Sequence, residues 1–238
     1  MTYAAILAGG SGVRMGNPDK PKQFFMLGEK PILIHTLEKF CSSNLFSKVV
    51  VLTPKVWVRQ TCDLVERYCP EYRDVVEIIA GGATRNDTIM NAIRYIEENY
   101  EVTDETILVT HDAVRPFVSY RIIKENIEAA KKYGACDTVV PATDTIVVSS
   151  EGEYIDEIPS RSQQYQGQTP QSFLLNKLKN LAISLNEEEN SILTDACKIF
   201  VLRGEKVFLV RGEEANIKIT YPHDLRVAEA LIGGAKNA

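Results

Sequence analysis

Short apolar runs alternate with amphipathic helical stretches from Tyr3 to Pro141, and this alternation restricts the chain to one broad architecture. Strands are expected over 3–7, 48–53, 76–79, 106–110 and 137–141, with helices near 32–42, 56–68, 87–99 and 119–133. In the helix over 87–99, Ile89, Ala92, Ile93 and Ile96 share one face while Arg94, Glu97 and Glu98 lie outside it. Thr84 or Asn86 is placed to cap its start. Continuous apolar strands separated by helices predict a Rossmann-like, mostly parallel α/β sheet with helices on both faces. Ligands of such sheets bind outside the carboxyl ends of the strands.

The pattern breaks after Pro141. Residues 144–149 and 154–159 read as two short strands around Ser150-Glu151-Gly152-Glu153, a hairpin signal. A two-stranded arm is marginal alone and needs a partner surface, so a homodimer gripped by this arm is expected. Helices follow near 174–184 and 192–202, then a strand over 206–210 and a last helix from Asp224. Glu187, Glu188 and Glu189 read as a solvated helix start.

Composition narrows the function classes. A chain of 238 residues, 45% hydrophobic and 25% charged, suits a globular α/β domain. The net charge of -5 and the lack of a basic tail argue against a nucleic-acid partner. No long apolar run predicts a membrane span, and the N-terminus does not read as a signal peptide. Five cysteines without C-x-x-C spacing argue against a disulfide or zinc framework and suit reduced thiols, so a cytoplasmic location is expected.

The first strand runs into a glycine-rich turn followed by two cations, Arg14 and Lys22. Gly9, Gly10 and Gly12 permit left-handed angles and close backbone approach to a ligand. Exposed N–H groups in such a turn form an anion-binding concavity, and the cations are suited to charge moving onto a leaving phosphate. A P-loop requires G-K-[ST], which is absent here. A dinucleotide fingerprint requires a third glycine where this chain has Met15. The remaining reading is the sugar-nucleotidyltransferase loop L-A-G-G-x-G-x-R-M followed by P-K, which Leu7 to Met15 and Pro21-Lys22 match throughout.

Further motifs follow in order: G-G-A-T-R-N at 81–86, H-D-A-V-R-P at 111–116, D-T-I at 144–146, Q-T-P-Q-S-F at 168–173, T-D-A at 194–196 and N-I-K-I-T at 216–220. With them the chain resembles cytidylyltransferases of the methylerythritol phosphate and ribitol phosphate type over nearly its whole length. The wording is most similar to the ribitol 5-phosphate branch. Val114 stands where the methylerythritol branch reads Ala, and Ala196 where it carries a second acid.

The resemblance implies a nucleotide-diphospho-sugar transferase fold, one nucleotidyltransferase domain over 1–238 and an inserted dimerisation arm over 142–164. It implies transfer of CMP from CTP to ribitol 5-phosphate, for teichoic acid or a related cell-surface polymer, with a ribulose-5-phosphate reductase as a further partner. The alternative acceptor is 2-C-methyl-D-erythritol 4-phosphate, for isoprenoid synthesis. An acceptor phosphate is mostly a dianion at neutral pH and needs no general base. Bringing two polyanions together does require cations, and Mg²⁺ is expected.

By resemblance, Arg14, Lys22, Arg161 and Lys218 are the catalytic cations, the first pair on the triphosphate and the second on the acceptor phosphate. Leu7, Ala8, Gly9, Gly10 and Gly12, with Gly81, Gly82, Ala83, Thr84, Arg85, Asn86 and Asp87, would bind CTP in a tight pyrimidine slot. Asp112 would face the ribose or the metal. Arg115, Thr145 and Thr194 would bind the acceptor, and the arm residues Asp144, Thr145 and Arg161 would complete the neighbouring subunit's site. Plainer roles stay open beside these: Arg115 as a salt-bridge partner of Asp112, Lys218 as a surface lysine on a strand, Asp195 as a helix cap and His111 as a packing residue. A non-catalytic nucleotide-binding protein and a dehydrogenase are the other classes that a glycine turn of this kind admits.

Overall fold

The computed structural model describes residues 1–10, 15 and 20–235. Nine strands alternate with eight helices among them. The strands are β1 (Thr2–Leu7), β2 (Met26–Leu27), β3 (Lys30–Pro31), β4 (Lys48–Thr53), β5 (Val76–Ala80), β6 (Ile107–Asp112), β7 (Ala135–Pro141), β8 (Tyr165–Leu174) and β9 (Phe208–Arg211). The helices are α1 (Ile32–Ser42), α2 (Val58–Tyr68), α3 (Arg85–Asn99), α4 (Tyr120–Tyr133), α5 (Leu175–Ile183), α6 (Glu187–Ser191), α7 (Cys197–Leu202) and α8 (Pro222–Ala235).

Seven strands form one sheet in the order β5-β4-β1-β6-β8-β7-β9. Every neighbouring pair is parallel except those of β8, which runs antiparallel to both β6 and β7. The mostly parallel α/β expectation therefore holds. β1 lies between β4 and β6, so the strand order reverses there and opens a crevice at the carboxyl ends of β1 and β6.

Alternation along each strand divides the core into two layers. Ala4, Ile6, Val49, Val51, Ile107 and Val109 face one side and pack with residues of α1, α2 and α4. Tyr3, Ala5, Val50, Leu52 and Leu108 face the other and pack with residues of α3, α5 and α7. The helix signals act as the sequence suggests. Thr84 and Asp87 form a reciprocal capping box at the start of α3, Ser119 accepts the Ile122 amide at the start of α4, and Gly134 ends α4 at φ +85.

Three expectations need correction. The arm does not form two strands; within it, Val148 and Glu157 make an isolated antiparallel bridge. The region expected as a helix over 192–202 holds only α7, with α6 before it and Thr194-Asp195 between them. Residues 216–220 are not a strand, yet Ile219 is buried while Lys218 is partly exposed and points elsewhere. The sequence reading also missed β8, a central strand. Its Gly167 and Pro170 read as strand breakers, and Gln168, Thr169, Gln171 and Ser172 read as polar although all four are buried. Partners offset their burial: Asn216 Nδ2 donates to Gln168 Oε1 at 3.1 Å and to the Thr169 carbonyl at 2.9 Å.

Among the described residues no helix is long and apolar enough to cross a membrane.

Candidate active site

A pocket of about 350 Å³ opens at the crevice beside β1 and β6. Leu7, Ala8, Gly9 and Gly10 form one wall, and Gly82, Ala83, Thr84, Arg85 and Thr88 at the start of α3 form another. Lys22, Gln23, Asp112, Ala113, Val114, Lys218 and Thr220 complete it. The start of α3 faces this space, and its positive dipole end suits an anion.

Each wall has a local cause. The short turn Lys22–Phe24 follows Pro21 and buries Gln23, whose Nε2 donates to the Ala8 carbonyl at 2.6 Å. That bond ties the Lys22 turn to the glycine segment. At Gly82 a Cβ would fall 2.3 Å from Asp87 Cβ, so only glycine lets the loop close over the start of α3. Gly9 and Gly10 act differently from the sequence expectation. Neither has positive φ, and among the described residues an added Cβ finds nothing closer than 4.0 Å at Gly9 and nothing within 4 Å at Gly10. They contribute open space beside the pocket rather than left-handed geometry.

The electrostatic centre is Asp112, at the end of β6. Its Oδ1 accepts Arg85 Nη1 at 2.5 Å, and its Oδ2 lies 2.8 Å from Lys218 Nζ and 3.6 Å from Arg115 Nε. Burial alone would raise the carboxyl's pKa. The positive charges of Arg85, Lys218 and Arg115 outweigh burial and hold it well below the usual carboxylate range. Behind Asp112, the fully buried His111 places Nδ1 2.9 Å from Thr169 Oγ1 and Nε2 3.1 Å from the Arg115 carbonyl. Thr169 Oγ1 in turn accepts the Asp112 amide at 3.1 Å. Burial pushes the His111 pKa down to about 4, so the ring is neutral at pH 7. Arg115 donates Nη1 to the Asn216 carbonyl at 2.8 Å, fixing the segment that carries Lys218.

The structure therefore brings Lys22, Arg85, Asp112 and Lys218 to one pocket, with Arg115 packed behind Asp112. Arg14 and Gly12 lie outside the described residues. Gly81, Asn86 and Asp87 sit behind the wall: Asn86 Nδ2 donates to Asn190 Oδ1 at 3.2 Å, and Asp87 serves the helix cap. Arg161, Thr145 and Thr194 are exposed and do not line the pocket within one chain. Arg161 Nη1 donates to the Thr143 carbonyl at 3.3 Å, within the arm. Asp195 accepts the Lys198 amide at 3.0 Å, as a helix cap does.

Sequence reasoning missed Gln23, Thr88 and Thr220 in the lining, and the charge that Arg85 presents to Asp112. Gln23 directly follows the Pro21-Lys22 signal, and Thr88 lies one turn after Thr84; those spacings were the available clues.

Asp112 is the carboxylate of the pocket, and among the described residues no group of three or more His, Cys, Asp or Glu side chains is placed to hold a metal. That donor set does not suit a cage built of protein groups. It fits a Mg²⁺ that takes one protein carboxylate and draws its other ligands from phosphate oxygens and water.

A family model described as IspD, 2-C-methyl-D-erythritol 4-phosphate cytidylyltransferase, matches residues 2–234. Solved structures agree with it. The 4-diphosphocytidyl-2C-methyl-D-erythritol synthase of Anaerococcus prevotii is 26% identical with a TM-score of 0.80, covering 98% of this chain and 96% of its own. The 2-C-methyl-D-erythritol 4-phosphate cytidylyltransferase of Francisella tularensis is 27% identical with a TM-score of 0.79, covering 96% and 98%. That of Thermus thermophilus is 27% identical with a TM-score of 0.73, covering 97% and 98%. These matches replace the ribitol 5-phosphate reading, and the teichoic acid role and the reductase partner drop out with it, since both rested on that acceptor. Val114 lines the pocket and Ala196 is buried in the core layer that holds α3, and the family match over residues 2–234 outweighs both as branch markers. The chain belongs to the IspD family and is a cytidylyltransferase of that type.

Proposed function

We propose that this protein transfers CMP from CTP to 2-C-methyl-D-erythritol 4-phosphate, releasing pyrophosphate, as a step in making isoprenoid precursors. The observation that carries this reading is the cluster of Arg85, Arg115 and Lys218 around one ionised carboxylate, in a pocket that Lys22 and the glycine segment also line.

An oxygen of the acceptor phosphate attacks the α-phosphorus of CTP, the bond to the β-phosphate oxygen breaks, and pyrophosphate leaves on the opposite side. Lys22 lies with the glycine segment and the α3 N-terminus, where the triphosphate fits, and it would stabilise charge moving onto the leaving group. Lys218 lines the same pocket beside Asp112 and would hold the acceptor phosphate. Asp112 keeps Arg85 and Lys218 oriented before substrate arrives. A Mg²⁺ at Asp112 would neutralise triphosphate charge. Leu7, Ala8, Gly9, Gly10, Gly82 and Ala83 leave a narrow slot that suits a pyrimidine better than a purine.

Arg161 and Thr145 serve the neighbouring subunit's site, so the active form is a homodimer joined through the arm. The exposed apolar residues of the arm support this: Tyr154 is 75% exposed, Ile155 60% and Ile158 59%.

The test is pyrophosphate release from CTP with Mg²⁺ and each candidate acceptor. Turnover with 2-C-methyl-D-erythritol 4-phosphate and little with ribitol 5-phosphate is expected. The reverse preference would overturn the reading.

A further inference from the structure

A second set of polar side chains lies on the Asp112 face of the sheet and has no part in the chemistry above. Thr110 on β6 stands opposite Gln171 on β8, and Gln171 stands opposite Asp137 on β7. Directly opposed residues share a face, and alternate positions on one strand return to it. The row Thr110, Gln171, Asp137 therefore lies on the side that carries Asp112.

Gln171 is only 2% exposed. Its Nε2 donates to Asp137 Oδ1 at 3.0 Å, while its Oε1 is buried with no hydrogen-bond partner among the described residues. The other Asp137 oxygen, Oδ2, is directed toward Gly167, where an added Cβ would lie 3.7 Å from it. The Gly167 carbonyl accepts Arg115 Nη2 at 3.5 Å, which brings the guanidinium to the same spot. Arg115 is 8% exposed, and its Nε is already turned to Asp112 Oδ2 at 3.6 Å. Asp137 also feels the charge of Asp195, the neighbour of Thr194. Asp137 thus lies within electrostatic reach of both Arg115 and Asp195, and it is only partly covered.

Such a set is poorly satisfied by itself. Burial, reinforced by Asp195 and opposed by the Gln171 amide, pushes the Asp137 carboxyl up to about 7. Gln171 keeps a polar atom in the fold's interior that has no partner among the described residues, a cost that natural structures accept mainly where something else supplies the partner. A hydroxyl suits such a set, since it donates one hydrogen bond and accepts others.

We propose that Asp137, held by Gln171 and placed beside Arg115, is a specificity-determining residue that reads a hydroxyl of the acceptor's polyol chain. This rests on the reading that the acceptor is a polyol phosphate, and it adds a residue to the side of the site away from CTP. Sites built to hydrogen-bond a hydroxyl discriminate strongly against ligands that lack it, because their own polar groups are then left unpaired.

The test uses the full chain as wild type, Asp137→Leu and Asp137→Asn. Each is assayed for pyrophosphate release from CTP with 2-C-methyl-D-erythritol 4-phosphate, erythritol 4-phosphate, ribitol 5-phosphate and glycerol 3-phosphate, and each is checked by thermal melting. For the wild type's best acceptor, Asp137→Leu is expected to raise KM about tenfold or more, leave the KM of CTP within about twofold, and narrow the preference over glycerol 3-phosphate. Asp137→Asn, which still offers a donor and an acceptor, is expected to keep most acceptor affinity. Should the leucine variant fail to fold, Asp137→Ala replaces it under the same criteria. The proposal is overturned if the folded apolar variant leaves acceptor KM and preference unchanged, or if the KM values of CTP and acceptor rise together. A wild type that prefers another polyol phosphate refutes the proposed function while leaving Asp137 to be judged on that acceptor. A wild type that uses none of them refutes both.

Discussion

The pocket and the arm are built on opposite principles. Around Asp112 every wall is braced from within the chain: Gln23 on Ala8, Arg115 on Asn216, His111 on Thr169. Between β7 and β8, by contrast, Val147, Val148, Tyr154, Ile155 and Ile158 are all exposed, and one isolated bridge joins the two limbs. The pocket is preorganised because burial forces its polar groups to find partners. The arm keeps apolar surface in water, as the proposed dimer requires. On that proposal one half of a site is finished by folding and the other half by association.

The sharpest test of this contrast is the loss of a pocket cation. Lys22→Ala is expected to lower kcat by roughly 10²–10³-fold, since it removes charge stabilisation of the leaving group, with a much smaller loss of stability from truncating a buried side chain. Pyrophosphate release and calorimetric melting measure the two quantities. A drop in stability that matches the loss of rate would make Lys22 a structural residue.

Next comes a mixing experiment aimed at the arm. Arg161→Ala alone should lose most acceptor use. Co-refolding it with Lys22→Ala should restore roughly a quarter of wild-type activity, because half of a random mixture is heterodimer and each heterodimer has one intact site. Two inactive parents that stay inactive after mixing would place Arg161 outside any shared site.

A smaller effect probes the pocket's flank through pH. Asp137 has its folded pKa raised to about 7 by burial and Asp195, against an ordinary value near 3.8. The folded state then binds protons that the unfolded chain releases between these values, so the wild type loses stability as pH rises through that window. Asp137→Asn has no such loss. It should match the wild type near pH 4 and exceed it by roughly 2–4 kcal/mol near pH 8, measured by urea unfolding at both pH values.

The smallest expected change is at the cap of α3. Thr84→Ala removes the acceptor for the Asp87 amide and should cost about 1 kcal/mol, with a rise in the KM of CTP because the same turn lines the pocket. An unaltered KM would separate the cap from nucleotide binding.

Much of this was legible in the chain. The runs over 48–53 and 32–42 coincide with β4 and α1 because a parallel sheet buried on both faces leaves an unbroken apolar strand. Gly82 and Thr84 were visible because a tight loop and a helix start each restrict residue type. β8 was not legible, since its polar residues are buried only through partners on β6, β7 and the Asn216 segment. Arg85 was assigned for its backbone, and its real contact is a carboxylate 27 positions away.

The sequence by itself determined the strand–helix alternation, the glycine turn and the supply of cations, because propensity and periodicity act over a few neighbouring residues. Only the tertiary structure decided which cations share one carboxylate, why His111 is neutral, and that Asp137 feels the charges of both Arg115 and Asp195. Those are properties of charge and burial, which depend on distance through space, and the sheet brings together residues that the chain keeps far apart.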